Sequence, residues 1–89
     1  MEMTYGRYLK VEELLLLQQP LSEGPEHDEM LFIIIHQVYE LWFKQILHEL
    51  EKLKSSFQEG ERGKALHTLK RIRSILKVLV SQVDVLETM

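Results

Sequence analysis

The stretch from His27 to His48 constrains the fold most, and it reads HDEMLFIIIHQVYELWFKQILH. Apolar residues recur there and beyond at steps of three or four, at Phe32, Ile35, Tyr39, Trp42, Ile46, Leu50, Leu53 and Phe57. This spacing is typical of one face of a helix, because a half-buried strand would alternate at every second residue. Ile33, Ile34 and Leu41 lie off that face, so the first half of the helix is apolar nearly all round and must be buried on several sides.

A second long helix is predicted after a short turn that contains Gly60 and Gly63. Its apolar positions alternate at steps of four and three, at Ala65, Leu69, Ile72, Leu76, Leu79, Val83 and Leu86. We expect one long helix over residues 26–59, opened by Pro25, and another over residues 64–88. Because the turn between them is short, the two helices should be antiparallel.

The N-terminal residues 1–9 are predicted to form an arm that must lie on a surface, because they carry Tyr5 and Tyr8 but are too few to fold alone. A short helix should follow over residues 10–18. The predicted fold is therefore all-α: a short N-terminal arm and helix, then a long antiparallel helical hairpin. Such a hairpin cannot cover a helix that is apolar all round, so we expect it to complete a bundle by self-association or with missing downstream sequence.

Composition excludes several classes of protein. The 89 residues suffice for one domain, and a net charge of −3 with mixed signs gives no basic surface for nucleic acid. Without cysteine, disulfides, thiolate catalysis and cysteine-ligated metals are excluded. The longest apolar run, Met30 to Ile35, is too short to cross a bilayer. We expect a cytoplasmic protein with neither a membrane nor a nucleic-acid partner.

His36 is the sharpest candidate for chemistry, because it stands among the most apolar residues of the chain. It is either a core histidine bonded to a neighbouring polar group or a pocket-facing imidazole beside Phe32. His36 and Glu40, four residues apart, could also bind a metal, but no further ligand lies at a suitable spacing. Tyr39, Trp42 and Phe43 are predicted to belong to the core.

Four segments together resemble the tryptophan 2,3-dioxygenase family. They are YGRYL from Tyr5, QQPLS from Gln18, HDEMLFIIIHQVYELWFKQILHEL from His27 and ILKVLVSQVDVLETM from Ile75. The resemblance covers nearly the whole chain but only the N-terminal part of the family protein, which is several times longer. It implies an all-helical haem enzyme, a homotetramer that adds both atoms of O2 across the indole C2–C3 bond of L-tryptophan. The product is N-formylkynurenine, in the kynurenine pathway of tryptophan catabolism.

The resemblance also implies roles for individual residues. His36 matches the catalytic distal-side histidine that hydrogen-bonds the indole N–H, and Phe32 matches an aromatic residue packed against the substrate. The matching substrate-binding segment consists of Phe32, Ile33, Ile34, Ile35 and His36. Tyr5, Tyr8 and Leu9 match an arm that reaches into the pocket of a neighbouring subunit.

The same resemblance places the proximal haem ligand and the groups that read the substrate's carboxylate and ammonium beyond Met89. We therefore expect no metal ligand within this chain, no haem held by it alone, and no activity of these 89 residues by themselves. Two other hypotheses remain open. One is a non-catalytic helical oligomerisation module, whose exposed apolar stripes would be an interface, and the other is a histidine and carboxylate metal protein.

Overall fold

The computed structural model describes residues 2–24 and 26–89. Four helices and no strand occur in these residues: α1 (Tyr5–Leu9), α2 (Val11–Leu14), α3 (His27–Gln58) and α4 (Arg62–Leu86). The predicted all-α class is confirmed. The chain divides into two compact units, Met1–Ile34 and Ile35–Met89, and the boundary falls within α3.

The predicted arm contains a short helix, α1, which the sequence analysis did not anticipate. Thr4 caps its N-terminus, since the Thr4 Oγ1 accepts a hydrogen bond from the backbone N–H of Arg7 at 3.3 Å. The Arg7 guanidinium also donates to the carbonyl of Glu2 at 2.9 Å. These local hydrogen bonds hold a helical turn that five residues could not form by helix propensity alone.

The helix predicted over residues 10–18 is shorter than expected, since α2 has only four residues. Lys10 separates α1 from α2 because its backbone is left-handed, with φ 55° and ψ 47°. That conformation ends a helix and costs a residue with a Cβ about 1 kcal/mol. After α2, the side-chain amide of Gln18 donates to the carbonyl of Leu14 at 2.9 Å, which terminates the turn.

The connector before α3 is held by Glu29, in the first turn of that helix. Its carboxylate accepts the backbone N–H groups of Leu21, at 2.9 Å, and of Ser22, at 3.2 Å, as well as the Ser22 hydroxyl. These hydrogen bonds, that of the Ser22 hydroxyl first and that of the Leu21 N–H second, lower the pKa of Glu29 below its ordinary value of 4.5. Pro25, predicted to open the long helix, lies outside the described residues.

Gly60 ends α3, as predicted. Its φ of +71° is a left-handed conformation that glycine adopts without a steric penalty. The N–H of Glu61 donates to the carbonyl of Ser56 at 2.9 Å, and the N–H of Gly60 donates to the carbonyl of Phe57 at 3.2 Å. This pair of hydrogen bonds is a Schellman motif, which satisfies the last carbonyls of the helix and turns the chain towards α4.

Within the second unit, α4 packs antiparallel against the part of α3 that follows Ile34. The Tyr39 hydroxyl donates to the carbonyl of Leu79 at 3.2 Å, and the Arg71 guanidinium lies 3.5 Å from the Glu49 carboxylate. Early residues of α3 thus meet late residues of α4. The predicted antiparallel hairpin is confirmed, and the ends of both long helices lie within two residues of the predicted ones.

Apart from Gln37, Val38 and Gln45, which are also half-buried on α3, the buried and half-buried residues of this pair follow a heptad spacing on both helices, and we call them the seam. On α3 they are Ile35, Tyr39, Trp42, Ile46, Glu49, Leu53 and Ser56, and on α4 they are Ala65, Thr68, Ile72, Ile75, Leu79, Gln82 and Leu86. Two of these residues, Glu49 and Thr68, are only 3% and 1% exposed, respectively.

The predicted apolar stripes were therefore wrong at alternate positions. Leu50, Phe57, Leu69, Leu76 and Val83 were expected to face inward, but all are exposed, by 43–61%. In each case the preceding residue occupies the seam instead. Ser56 and Thr68 fill two of these positions with short polar side chains, and Glu49 and Gln82 fill two others with longer ones. Phe32, the first residue of the predicted stripe, is also exposed, by 51%.

The buried carboxylate of Glu49 is accommodated by two partners. The side-chain amide of Gln45 donates to it at 2.7 Å, and Arg71 approaches it from α4. The Arg71 side chain is half exposed, so its guanidinium keeps contact with water while it neutralises the carboxylate. Glu49 therefore links α3 to α4 in one register.

No helix among residues 2–24 and 26–89 combines the length and the hydropathy needed to span a bilayer.

We predict that Arg71→Leu lowers the free energy of unfolding by about 1–3 kcal/mol, because it leaves the buried carboxylate of Glu49 without its cation. The double variant Glu49→Leu/Arg71→Leu should recover most of that loss, since both polar partners are then gone. Urea unfolding followed by circular dichroism measures both values. An Arg71→Leu variant with an unchanged free energy of unfolding would contradict the pairing. Lys70→Leu, at the neighbouring exposed position, is the matched control.

We also predict that the connector detaches from α3 in acid. A carboxyl whose pKa is lowered in the folded state stabilises that state above its ordinary pKa, and the stabilisation is lost as the pH falls through the lowered value. The amide resonances of Leu21 and Ser22 should therefore be constant above pH 5 and shift below the ordinary value of 4.5. In Glu29→Gln they should lose this titration, whereas Glu23→Gln, in the same connector, should keep it.

Candidate functional site

His36 lies on the exposed side of α3, in the second unit. The preceding residue, Ile35, is 6% exposed and points into the seam, and the helical rotation of about 100° per residue carries the next side chain out of it. The imidazole lies edge-to-face with the Tyr39 ring, with 6.4 Å between the ring centroids and 79° between the planes. Within this chain His36 is not a core histidine.

Tyr39 connects this exposed position to the packed interior. It is half-buried in the seam, and the hydrogen bond from its hydroxyl to the Leu79 carbonyl reaches across to α4. Its ring stacks on that of Phe43, one turn further along α3, with 6.2 Å between centroids and 12° between planes. Of the three aromatic residues predicted to be core, Tyr39 and Trp42 are half-buried and Phe43 is 44% exposed.

The residues before His36 in the predicted substrate-binding segment differ in exposure. In the first unit, Phe32 is 51% and Ile34 is 42% exposed, while Ile33 is half-buried. Phe32 and Ile34 therefore each leave part of their apolar surface exposed. Ile35 offers none, because it packs into the seam of the second unit.

The predicted arm residues come together on α1. Tyr5, Tyr8 and Leu9 stand at the first, fourth and fifth positions of that helix and therefore share one face. They are 79%, 74% and 46% exposed, respectively. Two tyrosines and a leucine thus form an apolar face that contacts little else in the first unit.

A protein-only metal site is not formed by the described residues, 2–24 and 26–89, since they bring no three histidine or acidic side chains close enough to hold a metal ion. His27, His48 and His67 are all exposed. The pair of His36 and Glu40 acquires no further ligand there, so the hypothesis of a histidine and carboxylate metal protein has no support.

Sequence reasoning missed two polar contacts that shape these surfaces. The Tyr39 hydroxyl bond to Leu79 joins residues that are 40 apart, so no local pattern indicates it. The hydrogen bonds from the backbone N–H groups of Leu21 and Ser22 to the Glu29 carboxylate join residues eight and seven apart across the connector. An acidic residue in the first turn of a helix was the one local signal, but its position alone does not indicate which donors it binds.

Comparison with known proteins identifies relatives over the full length of the chain. The sequence model described as tryptophan 2,3-dioxygenase matches residues 1–89. The tryptophan 2,3-dioxygenase of Herpetosiphon aurantiacus is 61% identical over 87 residues, which are 98% of this chain and 34% of that protein. That of Anaeromyxobacter sp. strain K is 62% identical over 98% of this chain and 32% of its own length. That of Dictyostelium discoideum is 48% identical over 96% of this chain and 23% of its own length.

The chain thus spans about a third of the length of the bacterial relatives and a smaller share of the Dictyostelium protein. The match nevertheless includes every residue considered above, from the tyrosines of α1 to the end of α4. On these findings the chain belongs to the tryptophan 2,3-dioxygenase family.

Proposed function

We propose that this chain is the N-terminal part of a haem-dependent dioxygenase that converts L-tryptophan and O2 to N-formylkynurenine, and that it supplies the substrate-facing wall of the pocket. The observation that carries the proposal is the position of His36. The imidazole is exposed directly after the apolar run Met30 to Ile35, and its ring lies edge-to-face with that of Tyr39. Membership of this family supports tryptophan as the aromatic substrate that such a group would meet.

His36 can orient the indole ring through a single hydrogen bond. The indole N–H is a donor only, and a neutral imidazole offers one nitrogen that accepts. That bond would fix the direction of the indole C2–C3 bond relative to bound oxygen, and correct orientation lowers the barrier of a reaction between two bound partners. Phe32, by the family resemblance, packs against the same substrate, and its exposed ring is available for that contact.

The described residues fit the substrate side of a haem pocket and not the iron-binding side. A haem iron takes an axial ligand from the protein, and the resemblance places that ligand beyond Met89. The exposed imidazole of His36 can instead border a planar group. When bound, haem supplies the binding and activation of O2, while this chain positions the indole and excludes water from it.

The apolar face of α1 supports a homotetramer in which this chain contacts a neighbouring subunit. Tyr5, Tyr8 and Leu9 remain exposed within the first unit, and tyrosine is enriched at protein interfaces. We propose that they enter the pocket of the adjacent subunit and close it around the substrate. A cytoplasmic location agrees with the absence of cysteine from the sequence.

A non-catalytic helical oligomerisation module is the second candidate function. The exposed apolar side chains Leu69, Leu76 and Val83, spaced by sevens on α4, favour it, because a heptad spacing is typical of helices that associate. The two functions differ in whether His36 affects turnover. A module that only assembles would tolerate any substitution of that residue.

We predict that His36→Ala in the complete enzyme lowers kcat/KM for L-tryptophan by about tenfold to a hundredfold, the range expected for one hydrogen bond to a buried group. Haem content, read from the absorption band, should be unchanged. His48→Ala, at another exposed position of α3, is the matched control and should keep full activity. Loss of haem in His36→Ala would contradict the assignment to the substrate side, and unchanged turnover would favour the assembly module.

We predict that Tyr5→Ala/Tyr8→Ala weakens the tetramer and raises KM for L-tryptophan severalfold, because two aromatic rings are removed from the proposed subunit contact. Analytical ultracentrifugation and steady-state kinetics measure the two effects. Leu21→Ala is the control, since Leu21 is 88% exposed but lies outside α1. A double variant with the assembly and the KM of the parent protein would refute the role of the arm.

A further inference from the structure

We infer that Tyr39 is a positioning residue that holds the imidazole of His36 in the orientation required for the indole hydrogen bond. The inference rests on the proposed function, in which His36 contacts the substrate. Tyr39 itself lies in the seam and would act only through its neighbour.

Two contacts restrain the Tyr39 side chain, one at its hydroxyl and one along the face of its ring. At the far end, the hydroxyl donates to the Leu79 carbonyl on α4 at 3.2 Å, which prevents the side chain from swinging away from the seam. Along its face, it is stacked on Phe43 at 6.2 Å, with the planes only 12° apart. These two contacts, one to the opposite helix and one along its own helix, restrict the orientation of the Tyr39 ring.

The imidazole of His36 then lies against this fixed ring. The centroid distance of 6.4 Å and the interplanar angle of 79° fall within the range of favourable edge-to-face pairs. The second side-chain torsion of histidine is broad, so the ring orientation of an exposed imidazole depends on the groups that it contacts. Contact with a fixed aromatic ring restricts that torsion and raises the fraction of molecules in which the accepting nitrogen points the right way.

Packing alone does not account for a tyrosine at position 39. Ile46 and Leu53 occupy the equivalent seam positions one and two heptads further along α3 with aliphatic side chains. An aliphatic residue would fill the seam without a hydroxyl that needs a buried partner. A tyrosine there makes two additional contacts: its hydroxyl binds the backbone of α4, and its ring lies against the imidazole of His36.

The test compares Tyr39→Leu, which removes the ring, with Tyr39→Phe, which keeps the ring and removes the hydroxyl, in the complete haem-loaded enzyme. The informative quantity is the ratio of kcat/KM for L-tryptophan to kcat/KM for the analogue in which sulfur replaces the indole N–H. His36 can bond only the first substrate, so the ratio reports the orientation of its imidazole. Leu53→Ala is the control, because it weakens the seam away from His36.

We expect the ratio to fall about tenfold in Tyr39→Leu and about threefold in Tyr39→Phe, in line with the loss of one aromatic pair and of one hydrogen bond, respectively. Leu53→Ala should lower thermal stability and leave the ratio unchanged. If Tyr39→Leu fails to fold, Tyr39→Phe decides, and a ratio equal to that of the parent enzyme overturns the inference. If His36→Ala has the same ratio as the parent enzyme, the proposed function fails. If the ratio falls in His36→Ala but equals the parent value in both Tyr39 variants, only the role of Tyr39 fails.

Discussion

The packing of α3 against α4 along one heptad register is the constraint on which the rest of the structure depends. In that register, small or paired polar residues occupy positions at which leucine would have been the simplest choice. Glu49 is the extreme case, because a carboxylate that is 3% exposed is tolerated only with Gln45 and Arg71 beside it. A slip of one residue would bury Leu50 in its place and expose the charge, so the polar contacts specify the register that hydrophobicity alone leaves open.

This register has a direct consequence for function. With Ile35 in the seam, His36 must lie outside it, directly after the apolar run Met30 to Ile35. Tyr39 then spans the boundary, with its hydroxyl on the backbone of α4 and its ring against the imidazole. The same residues that pack the two helices thus determine which groups a ligand can reach. In the proposed function, the group left outside is the one that would accept the hydrogen bond of the indole N–H.

Much of the fold was predictable because helix signals are local. The 3.6-residue periodicity indicated two long helices, Gly60 marked the end of the first, and the short turn implied an antiparallel pair. The register was not predictable from hydrophobicity, because Thr68 and Leu69 lie side by side and the pattern favours the leucine. The left-handed backbone of Lys10, which divides one expected helix in two, was also missed, since lysine gives no signal for it.

Less of the candidate site than of the fold was predictable from the sequence. The composition around His36 singled out that residue with Phe32 beside it, and Tyr5 and Tyr8 indicated an arm that lies on a surface. The substrate and the neighbouring subunit that these residues would contact came only from resemblance to a family. The structure adds that these side chains are exposed and that Ile35 is not. The contribution of Tyr39 could not be read from the sequence, because an aromatic residue in a helical stripe has the same appearance whether it packs or positions.

Thiol labelling at two adjacent positions of α4 tests the register most directly, and the natural chain contains no cysteine to interfere. Thr68 is 1% and Leu69 is 45% exposed, so single variants Thr68→Cys and Leu69→Cys report opposite sides of the helix. The seam described here predicts that Thr68→Cys reacts with a maleimide at least tenfold more slowly than the same variant unfolded in urea, and more slowly than Leu69→Cys. Equal rates in Thr68→Cys and Leu69→Cys, or the reverse order, would contradict it.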